Sequence, residues 1–122
     1  MGRWVSLLLV DIDHFKRIND TLGHPAGDDV LTGLSEVLTD SVRSNDTVCR
    51  YGGEEFAVIL PETGPDAALA VASRVRELIA SAGFDTCAGP VRVTISGGLA
   101  ATRGPSRVAL SLIHISEPTR PY

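Results

Sequence analysis

The sequence predicts an α+β fold in which helices pack on an antiparallel sheet, with elements in the order β-α-β-β-α-β. Three observations support it. Short apolar runs have the length of buried strands, longer segments repeat their apolar residues at helical spacing, and a Gly-Gly pair joins two strand candidates as a tight hairpin. A chain of 122 residues, 43% of them hydrophobic, is long enough for one domain with its own core.

The first strand is predicted over the apolar run 5–11, VSLLLVD, which is followed at once by a further acid at Asp13. The run is far shorter than the roughly 20 residues that a membrane helix requires, and it lacks the small-residue cleavage site of a secretory signal. We therefore expect a buried strand with acids at its carboxyl end, and no membrane contact by this segment. A short helix is predicted over 15–22, closed by Gly23.

A second helix is predicted over 28–42, with Asp28 at its start, because apolar residues recur there at i, i+3, i+4 and i+7. These apolar residues are Val30, Leu31, Leu34, Val37, Leu38 and Val42.

A hairpin is predicted next, from strands at 47–51 and 56–60 joined by Gly-Gly-Glu-Glu, with Pro61 stopping the second strand. Glycines would supply the positive φ that tight hairpin turns demand. A second amphipathic helix is predicted over 65–81 and a last strand over 91–100. The helix should bury Ala68, Leu69, Ala72, Val75, Leu78 and Ile79. This order of elements is the ferredoxin-like arrangement.

Composition excludes some classes of function. A formal charge of −4 and a pI near 5.2 argue against a surface that grips nucleic acid or anionic membrane without specificity. Cys49 and Cys87 are too few and too far apart for a metal knuckle or a disulfide framework, which favours reduced thiols and a cytoplasmic location. Lys16 is the only lysine among eleven basic residues. Neither His14 nor His24 has a second histidine at ligand spacing, so both are interpreted as structural.

Acidic pairs end two strands that can be neighbours in the sheet. Asp11 and Asp13 follow the first strand, and Glu54 and Glu55 occupy the hairpin turn, so four acids would converge. Crowded carboxylates raise one another's pKa unless a cation neutralises them, and hard divalent cations at such sites serve phosphoryl or nucleotidyl transfer. A solvated turn is the alternative that the turn sequence alone favours.

Three ordered motifs resemble the GGDEF domain of diguanylate cyclases: DIDHFKRINDTLGHPAGDDVL at 11–31, RSNDTVCRYGGEEFAVILPET at 43–63, and VTISGGLA at 93–100. The resemblance runs over about 7–101. It implies a fold like the polymerase palm and an activity that condenses two GTP into cyclic di-GMP with release of pyrophosphate. Such activity would need two domains face to face, hence a homodimer or a second GGDEF domain.

The resemblance also assigns catalytic and metal-binding residues. Asp11 and Glu54 would bind Mg²⁺ (or Mn²⁺), helped by the backbone carbonyl of Ile12. Glu54 and Glu55 would be the catalytic acids, with Glu55 assisting deprotonation of the attacking ribose 3′-hydroxyl.

Substrate contacts follow in the same way. Asn19 and Asp28 match positions that read guanine, whose donor-rich edge an amide and a carboxylate can satisfy. Gly52 and Gly53 would let the backbone approach the nucleotide, and Lys16 would meet the polyphosphate. In isolation, Asn19 and Asp28 would be interpreted as a turn former and a helix cap, and Lys16 as a solvated surface lysine.

R-x-x-D at 43–46 matches the family's product-inhibition site. Arg43 and Asp46 would bind cyclic di-GMP, with Arg74 on the following helix as a further contact. A charged helix terminus is the alternative for these residues.

The two ends of the sequence depart from the family pattern. The upstream segment of the family and its C-terminal helix and strand are missing, so the resemblance predicts a partial GGDEF domain over 1–109 that is inactive alone. LSLIHISEPTR, at 110–120, resembles the translation of a transposon-based sequencing adapter, which predicts a non-native tail over 110–122. Two other functions stay open: a regulatory module that binds GTP or cyclic di-GMP without turnover, and an acidic metal-binding interaction domain.

Overall fold

A computed structural model of the chain describes residues 3–103 and a strand at 111–116. The described part forms seven strands and three helices. In chain order they are β1 (Trp4–Ile12), α1 (Phe15–Leu22), α2 (His24–Asp40), β2 (Thr47–Arg50), β3 (Glu55–Pro61), α3 (Pro65–Ala82), β4 (Phe84–Thr86), β5 (Gly89–Val91), β6 (Ile95–Arg103) and β7 (Ser111–Ser116). The predicted α+β class is confirmed.

The main sheet has five strands in the order β2-β3-β1-β6-β7, and every neighbouring pair is antiparallel. β1 therefore lies at the centre, between the hairpin strand β3 and the late strand β6. The predicted adjacency of the first strand and the hairpin is confirmed, since Asp11 pairs with Glu55 in the register. That the tail over 110–122 is non-native remains a prediction.

The hydrophobic core lies on one face of this sheet. Along β1, Leu8 and Val10 are buried, whereas Val5 and Leu9 on the opposite face are 41% and 40% exposed. Strand alternation explains the contrast, because successive side chains point to opposite faces. Buried residues of α2 and α3 complete the core, among them Val30, Leu34, Leu38, Ala68, Ala72, Val75 and Ile79.

One predicted core position of α3 is wrong: Leu78 is 47% exposed, and Leu69 is only partly buried. The buried residues of this helix define a stripe through Ala68, Ala72, Val75 and Ile79. At 3.6 residues per turn, positions 69 and 78 fall on the two borders of that stripe.

The second helix begins at His24, not at Asp28 as predicted. Gly23, at φ 95°, turns the chain out of α1, and Pro25 stands in the first turn, where its missing N–H costs no hydrogen bond. Asp28 consequently lies inside the helix, so its interpretation as a helix cap is wrong.

The last predicted strand also begins later, at Ile95 instead of Val91. Val91 instead pairs with Phe84 in a separate hairpin, β4–β5, whose Gly89 has a φ of 100°. This hairpin packs against α2, where Asp29 accepts a hydrogen bond of 2.8 Å from the backbone N–H of Cys87.

Among residues 3–103 and 111–116, no helix combines the length and apolar character needed to cross a bilayer.

Candidate active site at the hairpin turn

Asp11 and Glu54 form an acidic pair where the end of β1 meets the turn after β2. Burial and the neighbouring charge of Asp13 raise the pKa of the Asp11 carboxyl. Burial and the charge of Asp11 likewise raise the pKa of Glu54. The Asp11 Oδ1 atom is buried and has no hydrogen-bond partner. An orphaned carboxylate oxygen beside a second acid suits a hard divalent cation, so Asp11 and Glu54 fit the two carboxylate ligands that the family resemblance implies.

Asp13 does not belong to this acidic pair. Its two carboxylate oxygens accept hydrogen bonds of 2.6 Å from the Thr94 and Ser96 hydroxyls, and its N–H donates to the Thr94 carbonyl at 3.0 Å. Asp13 lies close enough for its charge to raise the pKa of Asp11, but its carboxylate oxygens are already hydrogen-bonded. Within the described ranges, no three His, Cys, Asp or Glu side chains stand together as a ready metal cage.

The hairpin turn is held by Arg50, the last residue of β2. Its guanidinium donates to the carbonyl of Gly52 at 3.2 Å and to that of Gly53 at 3.1 and 2.6 Å. The Glu55 carbonyl accepts the N–H of Tyr51 at 3.1 Å and that of Gly52 at 3.4 Å.

The two turn glycines do not use a positive φ, so this part of the hairpin prediction is wrong. At Gly52 the absent side chain matters, because an added Cβ would overlap the Glu55 carboxylate. At Gly53 an added Cβ would meet nothing within 4 Å. The glycines thus leave room around Glu55 and an open backbone at the tip of the turn.

A groove of about 540 Å³ lies between α2 and β2, next to this turn. Its lining includes Asp28 and Leu31 from the helix and Arg50 and Phe56 from the hairpin. Asn19 lies against Gly27, the residue before Asp28, and its buried Oδ1 has no hydrogen-bond partner. The two residues predicted to read guanine therefore stand on adjacent parts of α1 and α2.

Lys16 faces solvent on α1. Its ammonium lies 3.3 Å from the Asp20 carboxylate, one turn along the helix, and its side chain is 90% exposed. In this structure it makes an ordinary surface ion pair.

Arg43, Asp46 and Arg74 line a second groove, of about 370 Å³, at the opposite end of the β2–β3 hairpin. The Arg43 guanidinium contacts the Asp46 carboxylate at 3.3 Å, the Pro61 carbonyl at 3.2 Å and the Thr63 hydroxyl at 2.8 Å. Arg74 donates to the carbonyl of Ser41 at 2.7 Å. The structure thus brings all three predicted product-inhibition residues together.

Comparison with known families identifies the family of this chain. The family model described as "Diguanylate cyclase, GGDEF domain" matches residues 2–117. The chain belongs to the GGDEF family. The predicted family is therefore confirmed, and the turn at 52–56, GGEEF, is this domain's version of the signature that names it.

The relatives of this GGDEF chain include the response regulator PleD of Caulobacter vibrioides, 49% identical over 105 residues, which are 84% of this chain and 23% of PleD. The chain therefore spans about a quarter of that relative's length. Among solved structures, the active GGEEF domain of a diguanylate cyclase from Vibrio cholerae is 30% identical with a TM-score of 0.74, covering 81% of this chain and 62% of that one. The GGDEF domain of DgcB from Caulobacter crescentus, in complex with c-di-GMP, is 31% identical with a TM-score of 0.77, covering 87% and 63%.

Sequence reasoning missed several residues that shape the GGDEF site. Arg50 stands two residues before the signature, so its position was a usable signal for a side chain that holds the turn. Thr94 and Ser96 alternate along the strand that pairs with β1, but only the register places them opposite Asp13. Gly27 gave no signal beyond being a glycine inside a helix.

Proposed function

We propose that this chain is the nucleotide-binding and catalytic domain of a diguanylate cyclase, which condenses two GTP into cyclic di-GMP and releases pyrophosphate. The observation that carries the proposal is the buried Asp11 carboxylate oxygen without a partner, which lies beside Glu54 of the GGEEF turn. Membership of the GGDEF family supplies the reaction class.

Asp11, Glu54 and the Ile12 carbonyl are the residues that would hold Mg²⁺ or Mn²⁺. When bound, the cation would neutralise the two carboxylates and offset the charge of the triphosphate. Burial and neighbouring carboxylates raise the pKa values of Asp11 and Glu54, and a bound cation would oppose that rise.

Glu55 is proposed as the proton acceptor. The 3′-hydroxyl oxygen of one GTP forms a bond to the α-phosphorus of the other, and the bond from that phosphorus to the oxygen bridging to the β-phosphate breaks. Pyrophosphate leaves, and the hydroxyl proton passes to the Glu55 carboxylate. A second, identical step closes the ring. The space at Gly52 and Gly53 gives the nucleotide access to the turn.

Guanine would be read by Asn19 and Asp28. A carboxylate accepts from N1–H and the 2-amino group of guanine, both of which adenine lacks, and this makes the discrimination chemically direct. Lys16 could exchange its exposed partner Asp20 for a phosphate at small cost.

Arg43, Asp46 and Arg74 are proposed to bind cyclic di-GMP and so reduce turnover. Support comes from their shared groove and from the similar GGDEF domain of DgcB, which was solved in complex with c-di-GMP. The Arg43 guanidinium is planar and matches the geometry of a phosphate, so a ligand would replace its contacts with Pro61 and Thr63.

Turnover is proposed to need two such domains, each carrying one GTP, and we expect the 122-residue chain alone to give no cyclic di-GMP. The decisive experiment incubates the full-length gene product with GTP and Mg²⁺ and measures cyclic di-GMP by mass spectrometry. Product that disappears when Mg²⁺ is chelated supports the proposal. GTP binding without any product would favour the alternative, a regulatory module that binds GTP or cyclic di-GMP.

A further inference from the structure

The backbone conformation at Gly27 does not require a glycine. It lies inside α2, its φ is not in the positive range, and it is buried. Alanine is the better helix former at such a position, so a glycine here weakens the helix unless space requires it.

The space around Gly27 is filled by the side chain of Asn19. A Cβ added at position 27 would overlap the Asn19 Oδ1 atom, lie 3.0 Å from its Cγ, and lie 3.3 Å from the Phe15 ring. The overlap with Asn19 is too severe for a small adjustment, so the amide would have to rotate away from its present place.

The Asn19 amide is also an unfinished hydrogen-bonding group. Its Oδ1 is buried without a hydrogen-bond partner and lies against Gly27. The residue after Gly27, Asp28, lines the groove of about 540 Å³. A buried polar atom left unpaired costs stability, and its placement therefore points to use rather than packing.

We infer that Gly27 is a specificity-determining position, which acts by leaving the space that seats the Asn19 amide beside Asp28 for recognition of a guanine base. The inference rests on the proposed function, since it concerns the same nucleotide. Gly27 contacts no substrate in this scheme; it positions the residue that does.

Gly33 provides a matched control on the same helix. It too lacks a positive φ, and a Cβ there would overlap the ring of Phe84 in the β4–β5 hairpin. Gly33→Ala and Gly27→Ala are thus the same change at two crowded sites of α2, and of the two only position 27 contacts Asn19.

The test compares the affinities of GTP and ITP, which lacks the exocyclic amino group, for the 122-residue chain and its variants by calorimetry. We expect Gly27→Ala to weaken GTP binding about tenfold and to bring the GTP/ITP ratio close to one, whereas Gly33→Ala should keep the wild-type ratio. In the Asn19→Ala background, adding Gly27→Ala should change the ratio less than twofold, because the group it displaces is already gone.

A readout without nucleotide guards against a general folding defect. The side-chain amide NMR signal of Asn19 should shift in Gly27→Ala and stay in place in Gly33→Ala. A Gly27→Ala chain that keeps the full GTP/ITP ratio, or that loses it equally in the Asn19→Ala background, would overturn the inference alone. A wild-type chain with no preference for GTP would contradict the proposed function and remove the specificity role with it.

Discussion

The two ends of the β2–β3 hairpin hold charged residues in opposite states. At the turn, Asp11 and Glu54 are two acids side by side, with one buried carboxylate oxygen that has no partner. At the other end, Arg43 satisfies Asp46, whose side chain is only 2% exposed, together with the Pro61 carbonyl. β2 separates these ends by four residues, roughly 13 Å.

The turn end has a carboxylate oxygen without a hydrogen-bond partner, whereas the charged groups of the arginine end already contact one another. A cation at the turn would bind an acceptor that no hydrogen bond uses, because the Asp11 Oδ1 atom is unpaired. A ligand at the arginine end must instead replace hydrogen bonds that the fold already makes. We therefore expect the turn end to control turnover and the arginine end to contribute to stability.

The largest expected effect is that of Glu55→Gln at the turn. The amide keeps the shape of the side chain but cannot accept the hydroxyl proton, so turnover by the full-length protein should fall about 10²- to 10⁴-fold. Cyclic di-GMP formation and the thermal midpoint are the measurements. Glu77→Gln, the same change at an exposed position of α3, should leave both unchanged. Turnover within twofold of wild type in Glu55→Gln would assign the proton to another group.

The next largest expected effect is a loss of stability when Arg43, at the opposite end of the hairpin, is replaced by alanine. Arg43→Ala leaves the nearly buried Asp46 carboxylate without its cation, and the expected loss is about 1–3 kcal/mol in the free energy of unfolding. Arg74→Ala, which removes a single hydrogen bond to Ser41, should cost less than about 1 kcal/mol. Urea unfolding of both variants checks this order.

Inhibition by cyclic di-GMP gives the same variant a second readout. Arg43→Ala should relieve inhibition of the full-length protein while retaining its initial rate. Inhibition that persists at the wild-type product concentration would leave Arg43 as a purely structural residue of the hairpin.

Asp11→Asn should stabilise the metal-free chain, in contrast to the loss at Arg43. The pKa values of Asp11 and Glu54 are higher in the folded state than in the unfolded chain. Protonation of these carboxyls therefore stabilises the fold below about pH 4, and this stabilisation is lost as the pH rises through the folded-state pKa values. At pH 7 the asparagine removes that loss, so metal-free Asp11→Asn should be more stable than the wild type.

Thermal unfolding from pH 4 to 8, without metal and with Mg²⁺, measures this effect. Mg²⁺ should raise the wild-type midpoint and leave that of Asp11→Asn unchanged. A metal-free Asp11→Asn that is less stable than wild type at pH 7 would contradict the interpretation that the charges of Asp11 and Glu54 destabilise the fold.

The sequence predicted local features well because they depend on neighbouring residues. The end of α1 follows from Gly23, and the acidic turn follows from GGEE between two strand candidates. The partners of Asp13 could not be predicted in this way, since Thr94 and Ser96 lie 81 and 83 residues away and meet it only through strand register. The early start of α2 depended on Gly23 and Pro25, a local signal that the apolar pattern concealed.

The smallest expected effect is that of Lys16→Ala, which decides whether the turn end extends onto α1. Lys16 pairs with Asp20 across one exposed helical turn, so its removal should cost no more than about 0.5 kcal/mol. If Lys16 also meets the triphosphate, GTP affinity should fall several-fold, and the loss should shrink at high salt because ionic strength screens exposed charges. Arg17→Ala, at the next exposed position, is the matched control. Equal GTP affinities in the two variants would leave Lys16 as a surface residue and confine the site to the acids, the turn and the groove between α2 and β2.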